Sequence, residues 1–154
     1  MESNYDRYVM GQTMGKLHVV SVHLWLEHLL VECLKVVVPN AAPLFRDRGM
    51  GFAQLVSLCE AHEVVQRPLA EILRKVNALR NKCAHQLTFN PSDADWRALD
   101  QAIERVAPRT ANGEEDYSLR RLADLLERRA VEIGAAIPNA AQQRHPADGA
   151  ARRR

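Results

Sequence analysis

Apolar residues at steps of three and four, interrupted by prolines, constrain this chain more than any other feature. From about Asp6 to Val38 the positions Val9, Met10, Met14, Leu17, Val20, Leu24, Leu26, Leu29, Leu30 and Leu34 keep that spacing. It draws an apolar stripe along a helix of 3.6 residues per turn, and Pro39 ends it. A shorter segment holds Phe52, Leu55, Val56, Leu58 and Cys59 and fades by His62. Pro68 has the fixed φ suited to a first helical turn, and Leu69, Ile72, Leu73, Val76, Leu79 and Cys83 follow it in the same period. Ser92 with Asp95 three residues later caps a fourth helix through Trp96, Leu99, Ile103 and Val106, which Pro108 stops. Leu119, Leu122, Leu125, Leu126, Val131 and Ile133 mark a fifth, closed by Pro138. No segment alternates with a period of two for the length of a strand. The pattern predicts an all-α, single-domain helical bundle of about five helices over residues 1–137, followed by a flexible basic tail over 138–154.

The length of 154 residues fits one domain, and 47% hydrophobic with 26% charged residues excludes a disordered or fibrous chain. The net charge of +2 is unevenly spread. Arg144, Arg152, Arg153 and Arg154 face Asp148 alone in the tail, leaving 17 positive and 18 negative charges on residues 1–137. A near-neutral body is unlike a duplex-DNA binder, so the basicity belongs to the tail, which is a candidate nucleic-acid accessory. Cys33, Cys59 and Cys83 are odd in number and widely spaced, and suggest neither a disulfide framework nor a zinc site. They read as small buried hydrophobes. The polar start MESNYDRY and the lack of a window of about 18 uncharged apolar residues predict no secretory signal and no membrane span, hence a cytoplasmic protein.

Most chemical signatures are missing. There is no Gly-rich phosphate loop, no Gly-flanked serine elbow and no His-Glu-x-x-His, so no cofactor is expected. His18, His23 and His28 are spaced by five, which turns each ring about 140° from the last. They are expected beside the core rather than on one metal. The pairs Arg120–Arg121 and Arg128–Arg129, interleaved with Asp124, Glu127 and Glu132, read as a solvated face. What remains is the end of the third helix, LRNKCAHQ, with Arg80, Asn81 and His85 within six residues. An imidazole that exchanges protons near neutrality, a permanent forked cation and an amide suffice for metal-free phosphodiester chemistry. His85 can take a proton from an RNA 2′-hydroxyl or give one to a leaving 5′-oxygen, while Arg80 offsets charge on the phosphorane oxygens. The same residues also fit a structural role, with Arg80 paired to Glu71 or Glu104 and His85 resting on the helix dipole.

An Arg-Asn-x-x-x-His run at a helix end in a small all-α bundle resembles the signature of the HEPN superfamily. Leu26-Glu27-His28-Leu29-Leu30, Phe52-x-x-Leu55-Val56 and Leu79-Arg80-Asn81-x-x-Ala84-His85 together are similar to its mannitol-repressor-like and related subgroups, over roughly residues 20–87. The resemblance implies a metal-independent endoribonuclease, a toxin of a toxin–antitoxin system or a phage-defence effector. It would act as a homodimer whose two motifs face a shared cleft. RNA would be its substrate and a cognate antitoxin or regulatory protein a further partner. Arg80 and His85 would be catalytic and Asn81 supporting. Because mannitol-repressor-like members act as regulators, the resemblance equally implies a second role, a non-catalytic regulatory or protein-binding module.

Overall fold

The longest helix is apolar on nearly every side, which forces it inward and makes it the element on which the others assemble. The computed structural model describes residues 13–46, 49–109 and 118–135. Helix α1 spans Thr13–Val37, α2 Phe52–Ala61, α3 Arg67–His85, α4 Asp93–Glu104 and α5 Ser118–Glu132, with a 3₁₀ turn at Ala42–Phe45. Among the described residues there is no strand. The chain is therefore the all-α bundle that its apolar spacing predicts. The tail expected over 138–154 and the start of the first helix expected at Asp6 lie outside the described residues.

Helix α1 packs against α2, α3 and α5, and α4 packs against α3 and α5. Leu26, Leu29, Leu30 and Leu34 of α1 are fully buried and meet Leu55 and Val56 of α2, Leu73 and Val76 of α3, Ile103 of α4 and Leu122 and Leu126 of α5 in one core. Each such leucine is worth about 1.5–3 kcal/mol relative to exposure. The stretch Gly15–Val37 is also long and apolar enough to cross a membrane, with a mean hydropathy of 1.3. In this fold its inner stripe is the bundle core, while Leu17 and Leu24 stay exposed.

The helix ends follow from local chemistry. Pro68 lies in the first turn of α3. Ser92 caps α4: its Oγ accepts from the Asp95 amide at 3.2 Å, and Asp95 Oδ2 accepts from the Ser92 amide at 2.8 Å. The Ser92 hydroxyl also donates to Asp95 Oδ2 at 2.7 Å, and this bond, with that from the Ser92 amide, lowers the pKa of the Asp95 carboxyl. Helix α5 closes with Gly134 at φ +80°, its amide donating to the Val131 carbonyl and the Ala135 amide to that of Ala130. Helix α2 closes in the same way, but with Glu63 in the left-handed position at φ +58°. The Glu63 amide donates to Glu60 O and the Val64 amide to Cys59 O.

The arginine pairs of α5 correct the expectation of a wholly solvated face. Arg121 is 5% exposed. It donates to Glu104 Oε2 at 2.6 Å, Asp100 Oδ1 at 2.8 Å and the Ala107 carbonyl at 3.0 Å, clamping α5 to the end of α4. Half-buried Arg129 donates to the Val64 carbonyl at 3.0 Å and to that of Glu63 at 3.1 Å, tying α5 to the α2–α3 turn. Periodicity places these arginines on the polar flank of α5. The flank is buried because neighbouring carboxylates and carbonyls supply partners for a guanidinium.

The two left-handed positions predict opposite responses. Glu63→Gly removes a Cβ from a strained φ and should raise stability by about 0.5–1 kcal/mol, whereas Gly134→Ala should lower it by about 1 kcal/mol. Space is not the reason for the second, since nothing lies within 4 Å of a Cβ at Gly134. Thermal melts of both variants against the parent check the signs.

Candidate functional site

The end of α3 is held in place by the first turns of α1. Lys16 Nζ donates to the Leu87 carbonyl at 2.8 Å, pinning the turn that follows His85. The amide of Gln86 donates to the Lys82 carbonyl and that of Phe89 to the Gln86 carbonyl, so the chain reverses at once. The Lys82 ammonium sits 5.6 Å from the centre of the Phe89 ring, a cation–π contact across the same turn.

Within that frame the three predicted residues part company. Arg80 is half-buried, and Asn81 and His85 are exposed. Arg80 Nη1 donates to Asn81 Oδ1 at 3.2 Å. His85, the last residue of α3, makes no side-chain hydrogen bond or ion pair among the described residues. The structure joins Arg80 to Asn81 and leaves His85 apart. Helix geometry explains the split, since five residues turn the chain about 140° between Arg80 and His85. Two expected pairings do not form. Glu71 is taken by Arg67 at 3.3 Å, and Glu104 by Arg121 and Arg109. Arg80 therefore pairs with no carboxylate among the described residues, and its Nε is buried without a hydrogen-bond partner there.

Arg80 shares its flank of α3 with a polar pair that periodicity does not reveal. His23 of α1 is 3% exposed, deeper than the boundary position expected of it. Its ring lies 4.1 Å from that of Phe52, centre to centre, and its Nε2 is 3.0 Å from Asn77 Oδ1. Asn Oδ1 only accepts, so Nε2 carries the proton and Nδ1 is left as a buried lone pair with no partner among the described residues. Burial lowers the His23 pKa, the Asn77 bond opposes that, the nearby Arg80 charge adds to the lowering and Glu27 opposes it. The other two histidines of α1 sit elsewhere. His18 is exposed, and half-buried His28 stacks on Trp25 at 5.5 Å. The signal for the pair was Asn77 itself, one of two amides in α3 and placed three residues before Arg80 between apolar neighbours.

Burial disfavours the thiolate form of all three cysteines. Burial pushes Cys33 up to about 11 and Cys59 up to about 12, and raises Cys83 beside the motif. All three are free, and Cys33 and Cys59 are buried as expected. Among the described residues no group of three or more His, Cys, Asp or Glu side chains converges as metal ligands would. No family model matches this chain, and neither a curated protein nor a solved structure matches it. Fold and site together define an all-helical bundle that presents an Arg-Asn-x-x-x-His helix end.

The His23 environment sets a pH dependence. Its folded pKa lies below the usual value of about 6.5, so the unfolded chain takes up the proton first as pH falls. The neutral ring's contribution is complete above about pH 6.5 and declines below it, towards the folded pKa. Urea unfolding between pH 7.5 and 5 should show stability falling in that window. The slope should flatten in His23→Gln, which keeps a donor for Asn77 but does not titrate.

Proposed function

We propose that the chain is a metal-independent endoribonuclease of HEPN type, a cytoplasmic homodimer serving as a toxin or phage-defence effector. One observation carries this reading: the last turns of α3 present a guanidinium that pairs with no carboxylate among the described residues and an exposed imidazole, with Asn81 bonded to the former. A structural arginine at this place would be expected to take Glu71 or Glu104, and both are committed to other arginines.

In the reaction, a ribose 2′-oxygen attacks the adjacent phosphorus and the bond to the 5′-oxygen breaks, leaving a 2′,3′-cyclic phosphate and a 5′-hydroxyl. His85 moves the proton, accepting it from the 2′-hydroxyl or donating it to the leaving oxygen. Arg80 lies against the non-bridging oxygens, where charge builds up, and Asn81 orients the guanidinium. Because Arg80 and His85 diverge around one helix, a second copy supplies the complement, one subunit's His85 working with the other's Arg80. A cognate antitoxin or regulatory protein would act by occupying that cleft.

The test is cleavage of a mixed RNA pool in EDTA. Wild type should leave 2′,3′-cyclic phosphate ends, and Arg80→Ala and His85→Ala should each lose about 100-fold or more of the rate while keeping their helical circular dichroism. A folded wild type that is inert on varied RNAs would overturn the nuclease reading. The second reading, a regulatory or protein-binding module, would then stand. It is favoured by the exposed leucines Leu17 and Leu24, each 55% exposed on α1.

Dimerisation is testable separately. Sedimentation at micromolar concentration should give a dimer. Leu24→Glu places a charge on the exposed stripe without touching the core, and should shift the equilibrium to monomer if that stripe is buried between copies.

A further inference from the structure

A recess of about 510 Å³ opens beside the start of α4, walled by His18, Trp96, Arg97, Asp100, Arg109 and Leu119. Its volume is that of a small-molecule site, and its chemistry is uneven. Trp96 and Leu119 give an apolar wall. Arg109 is committed to Asp100 at 2.7 Å and lies 3.8 Å from Glu104. Arg97 is exposed and pairs with no carboxylate among the described residues. An aromatic face beside one uncommitted guanidinium suits a planar ring carrying a phosphate.

The recess lies at the same end of the bundle as the α3 motif. A Cβ at Gly15 would stand 3.9 Å from Trp96 Cζ2 and 3.8 Å from Asn90 Oδ1, and the next residue, Lys16, holds the turn after His85. We infer that this recess is a nucleotide subsite for single-stranded RNA, in which an unpaired base stacks on Trp96 and an adjoining phosphate meets Arg97. The inference rests on the endoribonuclease reading and extends it to the form of the substrate. A duplex holds its base faces against one another and offers none to Trp96, while a flexible strand can turn a base into the wall.

The experiment uses a His85→Ala, Trp25→Phe protein, which does not consume the RNA and reports from Trp96 alone. It is titrated with a fluorescein-labelled 12-nucleotide single strand, and with the unlabelled strand and its duplex. Trp96 fluorescence should be quenched by the single strand and not by the duplex. Arg97→Ala should weaken binding about fivefold and Trp96→Leu about tenfold or more, with melting temperatures recorded for both. Arg97 is exposed, so its variant tests the subsite even if Trp96→Leu unfolds.

Unchanged affinity in Arg97→Ala, absence of quenching, or equal affinity for duplex would overturn the subsite and leave cleavage dependent on Arg80 and His85 untouched. Quenching and weakened Arg97→Ala binding, without cleavage by protein that retains His85, would keep the subsite and remove the nuclease reading. No binding of any RNA would overturn both.

Discussion

Burial of the inner stripe of α1 is the constraint on which the rest of the molecule depends. Leu26, Leu29, Leu30 and Leu34 are removed from solvent only because α2, α3 and α5 each lay an apolar face against them. Helices of 10 to 15 residues, such as α2 and α5, are marginal alone in water. Their shared packing on α1 is what makes them persist. The same helix also delivers His23 to α3 and Lys16 to the turn after it, so the core and the candidate site are set by one element.

Apolar packing alone leaves helices free to slide, and three polar groups limit that freedom. Arg121 bonds two carboxylates and a carbonyl of the α4 end, Arg129 bonds two carbonyls of the α2–α3 turn, and His23 bonds Asn77. Each bond has a direction and a length, so together they select one register among packings of similar burial. The desolvation of Arg121 is offset by ionic partners that remain partly in water, a cheaper arrangement than a wholly buried ion pair. Burial lowers the His23 pKa and so favours the neutral ring, which is cheaper to bury than a charged one, although its Nδ1 has no partner among the described residues.

Much of this was legible in the sequence, and the omissions have a common cause. Helix order, the Pro68 start, the Ser92–Asp95 cap and the buried Cys33 and Cys59 all follow from residues within four positions of one another. Local chemistry decides them. The burial of Arg121 and the inward place of His23 depend on partners 14 to 54 residues away, and periodicity carries no information about those. At the site, the spacing of Arg80 and His85 already implied the angle between them. The pairing of Arg67 with Glu71, four residues apart on α3, is local, but that Arg121 would occupy Glu104 from 17 residues away was not readable, because that choice is made by tertiary distance. The wall formed by Trp96 is a similar case: the sequence places that tryptophan in the core stripe of α4, and only the approach of α1 and Arg109 shows that one side faces a recess.

The divergence of Arg80 and His85 bears directly on mechanism. Two groups about 140° apart on one helix cannot both sit within hydrogen-bond reach of one phosphate unless one reaches around the helix or a second helix brings its mate. Arg80 is half-buried and bonded to Asn81, and its charge is felt by His23 on α1. His85 has a short side chain. In the homodimer proposed above, a two-fold axis near the end of α3 would set one copy's exposed imidazole against the other's guanidinium and repeat the arrangement at an equivalent second site. Under the nuclease reading proposed above, a lone subunit would lack this pairing, and cleavage should follow dimer concentration more closely than total protein. A half-buried cation bonded to Asn81 and a proton carrier exposed to solvent make no bond to one another within one chain, and in the proposed dimer would become complementary between two.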